Sequence, residues 1–236
     1  MNTKLIDAVA KAVLYEGYML YPYRPSSVKN RQRFNFGVLY PKSYADAQAG
    51  SDGWSMQTEC LIEGASPTVE VKVRFLKLIS RTRSDSAAFD ADARVQETSN
   101  NLSEAFRDLD SAPAPWQEAV EHEIALPLRS VPNLAVAPLK WEFSFPAKKE
   151  GELVRDANGR MHRIVERRQE AIWGSVEIMA AQTKEDLIKL TVRVKNLTIM
   201  EENSGPTRDC ALMRSLVSAH TLLGVTDGEF VSLLEP

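Results

Sequence analysis

The chain has 236 residues, 44% of them hydrophobic and 26% charged, the balance of a soluble globular protein and not of a disordered, collagen-like or membrane-embedded one. Its 29 basic and 32 acidic residues leave no global excess that would by itself mark a nucleic-acid binder. A chain of this length folded as one unit buries roughly 70% of its unfolded surface, so neither a disulfide framework nor a structural metal is needed to hold it.

Asn2 to Tyr18 carries Leu5, Ile6, Val9, Ala12, Val13 and Leu14 at three-and-four spacing, which predicts one buried helix stripe, capped by Asn2 or Thr3 and ended near Gly17. Tyr21-Pro22-Tyr23-Arg24-Pro25-Ser26-Ser27 cannot continue it, because the two prolines remove donors and turn their predecessors towards extended backbone. Aromatic and β-branched runs at Phe34 to Tyr40 and Trp54 to Glu63, bounded by Pro41 and the Gly50-Ser51-Asp52-Gly53 turn, predict strands. Thr68 to Ile79 is the clearest strand: Val69, Val71, Val73 and Phe75 alternate with Glu70, Lys72 and Arg74. The phase then slips to Leu76 and Leu78, as a bulge near Phe75 would make it.

Between Ser84 and Glu123 ten acidic residues stand against only Arg94 and Arg107, which predicts a solvated loop or insertion over about 84–115 with one short helix around Leu102 to Leu109. Trp116 to Leu128 fits two periods, Trp116, Val120, Ile124 and Leu128 as a helix and Val120, Ile124 and Leu126 as a strand. Lys140 to Phe145 predicts a short strand. Arg163 to Ala181 and Leu187 to Leu197 predict a long hairpin, with Val176, Ile178 and Ala180 answering Ile188, Leu190, Val192 and Val194. Arg208 to Val217 predicts a short helix, and His220 to Val225 with Glu229 to Leu234 a second hairpin closed around Asp227-Gly228. The sum is a β-rich α+β fold in a single domain, an antiparallel sandwich or curved sheet with an N-terminal helix and a short C-terminal helix.

Few chemical signatures accompany this pattern. Cys60 and Cys210 lie far apart with no CxxC partner, which argues against disulfides and a zinc ribbon and predicts a reducing, cytoplasmic setting. Lys4, Asp7 and Lys11 interrupt the N-terminal apolar pattern, so it does not read as a signal peptide, and no stretch reaches the ~18 apolar residues of a membrane span. GxSxG, GxGxxG and GxxxxGK[ST] are all missing, which lowers the serine-elbow hydrolase and nucleotide-dependent readings. His122-Glu123 begins like a zinc-protease motif, but Leu126 stands where the second histidine is needed. With only His162 and His220 besides, no metal and no cofactor is expected. Asn101-Leu102-Ser103 and Asn196-Leu197-Thr198 match the glycosylation triplet and carry no weight in a chain read as cytoplasmic.

One segment stands apart. Tyr15 to Tyr40 holds Tyr15, Tyr18, Tyr21, Tyr23, Phe34, Phe36 and Tyr40 with Arg24, Lys29, Arg31 and Arg33, and Glu16 is its only acid. Rings interleaved with cations suit base stacking, grip on an anionic ligand, or a protein interface; they suit equally a structural crossover braced by cation–π pairs. The acidic balance elsewhere weighs against nucleic acid. Partner-binding candidates are therefore Tyr15, Tyr18, Tyr21, Tyr23, Arg24, Lys29, Arg31 and Arg33. The competing reading is an enzyme of unknown reaction whose polar pocket collects Glu16, Arg24, Lys29, Glu59 and His220, with Cys60 as a possible thiol.

Three stretches together carry a resemblance: Tyr15-Glu16-Gly17-Tyr18-Met19-Leu20-Tyr21-Pro22-Tyr23-Arg24 running on to Phe36-Gly37-Val38-Leu39-Tyr40-Pro41; Thr58-Glu59-Cys60-Leu61; and Ser215 to Leu223 with Gly228 to Leu234. They cover about a quarter of the chain and resemble a family of bacterial proteins encoded in nickel-iron hydrogenase gene clusters of soil bacteria. The resemblance implies a non-enzymatic accessory or assembly role, with a hydrogenase subunit or maturation factor as partner, and transfers no catalytic residue. The chain has no CxxC, histidine-rich tract or cysteine cluster for nickel or an iron–sulfur centre, so the implied role is to hold a partner and not a metal.

Overall fold

A computed structural model of the chain describes residues 8–12, 14, 36–48, 50–84, 94–96, 116–155, 161–184, 186–200 and 207–232. Twelve strands and three short helices are named within them: α1 (Lys42–Ala47), β1 (Ser55–Glu63), β2 (Thr68–Ser84), β3 (Arg94–Gln96), β4 (Trp116–Ala125), β5 (Arg129–Ser130), α2 (Val131–Val136), β6 (Leu139–Phe145), β7 (Lys148–Arg155), β8 (Met161–Gln169), β9 (Ile172–Lys184), β10 (Leu187–Asn196), α3 (Arg208–Leu212), β11 (Val217–Thr226) and β12 (Glu229–Phe230). Residues 8–12 and 14 are helical as well. The chain is thus β-rich α+β, and its described strands pair antiparallel except where β3 runs parallel to β7.

Five strands form one sheet in the order β12-β1-β10-β9-β6, and β11-β2-β8-β7-β3 run through the other, with β4 and β5 also paired to β2. Alternation gives each sheet an apolar face, and these two faces meet. Val69, Val71, Val73 and Phe75 of β2 pack with Ile62, Phe143, Val176, Ile178, Ile188, Leu190, Val192 and Val194 of the five-stranded sheet. A second core lies on the opposite face of β2, where Leu76 and Leu78 meet Val217, Ala211, Leu212, Tyr40, Tyr44 and Leu14. The phase slip predicted at Phe75 is therefore not a bulge in β2, whose pairing with β4 is continuous from Lys72 to Arg81. Beyond Phe75 both faces of the strand are buried. The bulge belongs to β11, between Val217 and His220, where Ser218 sits at φ 50°.

Other expectations change with the topology. The hairpin β9–β10 forms in the predicted register, Val194 opposite Val176 and Val192 opposite Ile178. Its predicted first arm is two strands, however: β8 pairs with β2 in one sheet, and after Glu170 and Ala171 β9 begins in the other. Asp227-Gly228 likewise closes no hairpin, because β11 pairs with β2 and β12 with Ile62 and Glu63 of β1. The turn instead carries the chain from one sheet to the other, and Asp227 at φ 59° supplies the left-handed residue it needs. Within residues 36–40 only Leu39 makes a bridge, to Leu216, so the strand expected up to Tyr40 is absent there. Trp116 to Leu128 resolves as a strand, β4, ending at Ala125. In the N-terminal helix Ala10 and Leu14 are buried while Val9 and Ala12 are exposed, so the buried stripe is rotated from the predicted one. The predicted C-terminal helix is real but short: α3 ends at Leu212 and Val217 already belongs to β11. Of the acidic stretch between 85 and 115 only 94–96 is described, as β3; the helix expected at Leu102 to Leu109 lies outside the described residues.

Candidate functional site

Tyr15, Glu16, Tyr18, Tyr21, Tyr23, Arg24, Lys29, Arg31 and Arg33 lie outside the described residues. The residues that bracket them are anchored. Leu14 on one side and Tyr40 on the other are 1% and 4% exposed, and both belong to the second core. Burial pushes the Tyr40 phenol above its usual pKa, and that of its neighbour Tyr44, whose ring centroid lies 5.0 Å away, rises for the same reason. From Phe36 the backbone is held against the start of β11: Ser218 N–H donates to Phe36 O at 3.1 Å, Ala219 N–H to Gly37 O at 2.9 Å, and Leu39 and Leu216 exchange bonds of 2.9 and 3.1 Å. Gly37 permits this approach, since it sits at φ +54° and a Cβ there would lie 3.4 Å from Ser218 Cα. Phe36 itself is 64% exposed.

Asn196 ties the assembly together. Its side chain is fully buried; Nδ2 donates to Leu39 O and Arg214 O, each at 2.9 Å, and Oδ1 accepts from Thr198 N–H at 3.0 Å. The asparagine of the glycosylation-like triplet is thus a structural polar anchor of the fold. Beside Leu14 an open depression of about 420 Å³ is lined by Lys11, Leu14, Arg74, Glu121, His122 and Glu123, with Arg74 Nε donating to Glu123 at 2.6 Å. Charges of both signs therefore sit where the aromatic–basic segment begins.

Three members of the competing pocket are described, and they do not converge. Glu59 stands on the face of β1 turned away from the core, accepting from Thr191 Oγ1 at 3.3 Å and pairing with Lys189 at 3.4 Å. Cys60 points the other way, packed against the main core, where burial raises its thiol pKa and so weakens it as a nucleophile. His220 belongs to the other sheet, opposite Arg74 on β2; its Nδ1 donates to Ser218 O at 3.0 Å and its buried Nε2 has no hydrogen-bond partner among the described residues.

A cluster not singled out by sequence lies on the core face of β2 just past Phe75. Lys77 is 1% exposed, with Nζ 5.8 Å from the Phe145 ring centroid and 3.3 Å from Pro146 O. His122, opposite Phe75 in the register, stacks on that ring at 5.6 Å and meets Phe145 edge-on at 4.6 Å. Burial lowers the Lys77 pKa against an opposing pull from Glu170, and burial with the nearby Lys77 charge lowers that of His122. Glu170 also accepts from Arg214 and Arg168, both at 2.8 Å. Further along the same face Glu118 bridges Arg81 at 2.6 Å and Arg167 at 3.0 Å. Alternation does place Lys77 with Val73 and Phe75, but a lysine reads as solvent-facing by type, and only the approach of Phe145 and Pro146 shows it covered. Among the described residues no group of three histidine, cysteine or acidic side chains is placed to hold a metal ion. Comparison with protein-family models, curated proteins and solved structures finds no match. No helix among the described residues is long and apolar enough to cross a membrane.

Proposed function

We propose that the chain is a non-enzymatic accessory protein that docks a partner through the segment from Tyr15 to Tyr40. The observation that carries this reading is the anchoring of both brackets of that segment, Leu14 and Tyr40, in one core, with residues 36–40 bonded to β11 and to Asn196. Fixed ends reduce the ordering entropy that a ring-and-guanidinium surface must offset on binding. Tyr and Arg are the side chains most often found as interface anchors. The resemblance to proteins of nickel-iron hydrogenase gene clusters supports a hydrogenase subunit or maturation factor as the partner.

The test is co-expression of the tagged chain with the hydrogenase subunits and maturation factors of such a cluster, comparing the native sequence with Arg24→Gln/Arg31→Gln/Arg33→Gln. Docking predicts stoichiometric capture of one of them, weakened about tenfold or more in the triple variant with melting temperature unchanged. Equal capture by a normally folded triple variant, or no capture of any of them, overturns the reading.

A further inference from the structure

β6 ends the five-stranded sheet. It pairs with β9 from Leu139 to Phe145, and no other backbone bond to it is made among the described residues. An open edge is a template for another strand, and proteins commonly blunt it with proline, a bulge or a short length. This one has seven residues, no proline and an unbroken register with β9. Its side chains sort by alternation into two sets. Lys140, Glu142 and Ser144 face away from the core, while Leu139, Trp141, Phe143 and Phe145 lie on the core face, where Trp141 at the rim remains 38% exposed.

We propose that β6 is a homodimer edge, at which two copies of this chain join their five-stranded sheets by antiparallel pairing of β6 with β6 about a two-fold axis at Trp141. The charges select this occupant and this register. A two-fold axis normal to the sheet must pass through a residue, so that directly opposed side chains share a face. With the axis at Lys140 two ammonium groups oppose each other, and with the axis at Glu142 two carboxylates do. With the axis at Trp141, each Lys140 opposes the other copy's Glu142, twice over, Leu139 opposes Phe143, and the two exposed Trp141 rings meet. Like charges directly opposed destabilise a strand pair and opposite charges stabilise it. In the single chain Lys140 and Glu142 satisfy each other at 2.7 Å while both side chains stay more than half exposed, so they are free to exchange partners at little cost. A seven-residue ladder is smaller than a standard interface of about 1,600 Å², so the dimer is expected to dissociate on dilution.

The test is sedimentation of the full chain by analytical ultracentrifugation, from low micromolar up to about 500 µM, a range that reaches weak association. Native protein should show a concentration-dependent dimer. Lys140→Glu and Glu142→Lys, each placing like charges opposite at both symmetric positions, should weaken it about tenfold or more. Mixed in equal amounts the two variants should form a heterodimer, because each then offers what the other lacks, and the double exchange Lys140→Glu/Glu142→Lys should restore self-association. Circular dichroism and melting temperature, expected unchanged at these exposed positions, separate loss of pairing from loss of fold. Native protein that is monomeric throughout, a dimer indifferent to both single variants, or failure of the mixture to associate overturns the proposal.

Discussion

Replacing Asn196 with alanine tests whether one buried amide holds the C-terminal end of the docking segment. The substitution removes two donated bonds, to Leu39 O and Arg214 O, and one accepted bond, from Thr198 N–H. Leu39 O keeps the bond from Leu216 N–H, so Arg214 O and Thr198 N–H lose most. At about 1–3 kcal/mol for each of these two buried polar groups left without its partner, the expected loss is about 2–6 kcal/mol, a large share of a stability near 5–15 kcal/mol. At about 2–4 °C per kcal/mol for a chain of this size, Tm should fall by about 4–24 °C, read by thermal and urea unfolding followed through tryptophan fluorescence. Amide exchange should localise the effect, with Leu39 and Leu216 losing protection before the β9–β10 hairpin does. Asn196→Asp should be worse than alanine at neutral pH, since a carboxylate would face two carbonyl oxygens without a proton to give. Its folded pKa would be raised above the unfolded value, so the deficit should shrink as pH falls through the carboxylate range. A loss below about 1 kcal/mol for Asn196→Ala, with Leu39 still protected, would refute the anchoring argument.

Val71 is 1% exposed in the main core, so Val71→Asp should abolish cooperative unfolding or drive the chain into aggregates; a soluble variant of unchanged Tm would show that face to be exposed. Gly174 leaves no room for a methyl group between the Phe143 ring and the Lys195 carbonyl, so Gly174→Ala should cost about 1–3 kcal/mol by urea unfolding, and Phe143→Leu in the same chain should recover only part of it. His122 has a folded pKa below its unfolded value, so the unfolded chain takes up the proton first and stability should fall as pH drops through the ordinary histidine range; His122→Phe should flatten that slope in urea titrations at pH 5 and 7.5, and an unchanged slope would clear His122. Lys77→Met removes a buried ammonium held by one carbonyl, so Tm should hold or rise and the His122 pKa, followed by NMR, should move up towards its usual value; a marked loss of stability would show that the Lys77 contacts outweigh its desolvation.

Elements governed by local periodicity were legible in the sequence: the alternation from Val69 to Phe75, the β9–β10 hairpin and its facing residues, and the β-rich class all follow from period two. What was not legible depends on which sheet a strand joins. Asp227-Gly228 reads as a hairpin turn wherever it occurs, and only the pairing of Phe230 with Ile62 shows that here it links two sheets. The continuous run from Arg163 to Ala181 conceals a sheet change at Glu170 and Ala171, because neither residue is a turn former. Lys77 and Asn196 look like surface residues by type, and both are buried because a distant segment covers them. Val131 to Val136 becomes a helix from only six residues with Pro132 at its start, too short for a period to emerge.

The placement of β2 has a consequence for synthesis at the ribosome. Its neighbours arrive in order, β4 and β5 first, β8 later, and β11 last, although β11 covers the edge from Thr68 to Leu76, the most apolar part of the strand. Until residue 226 has emerged, that edge has no permanent partner, and a valine-rich edge held open on a nascent chain invites pairing with a neighbouring chain. Glu70, Lys72 and Arg74, alternating with the valines, are charges of the kind that disfavour such pairing while the strand waits for its own C-terminal partner to close over it.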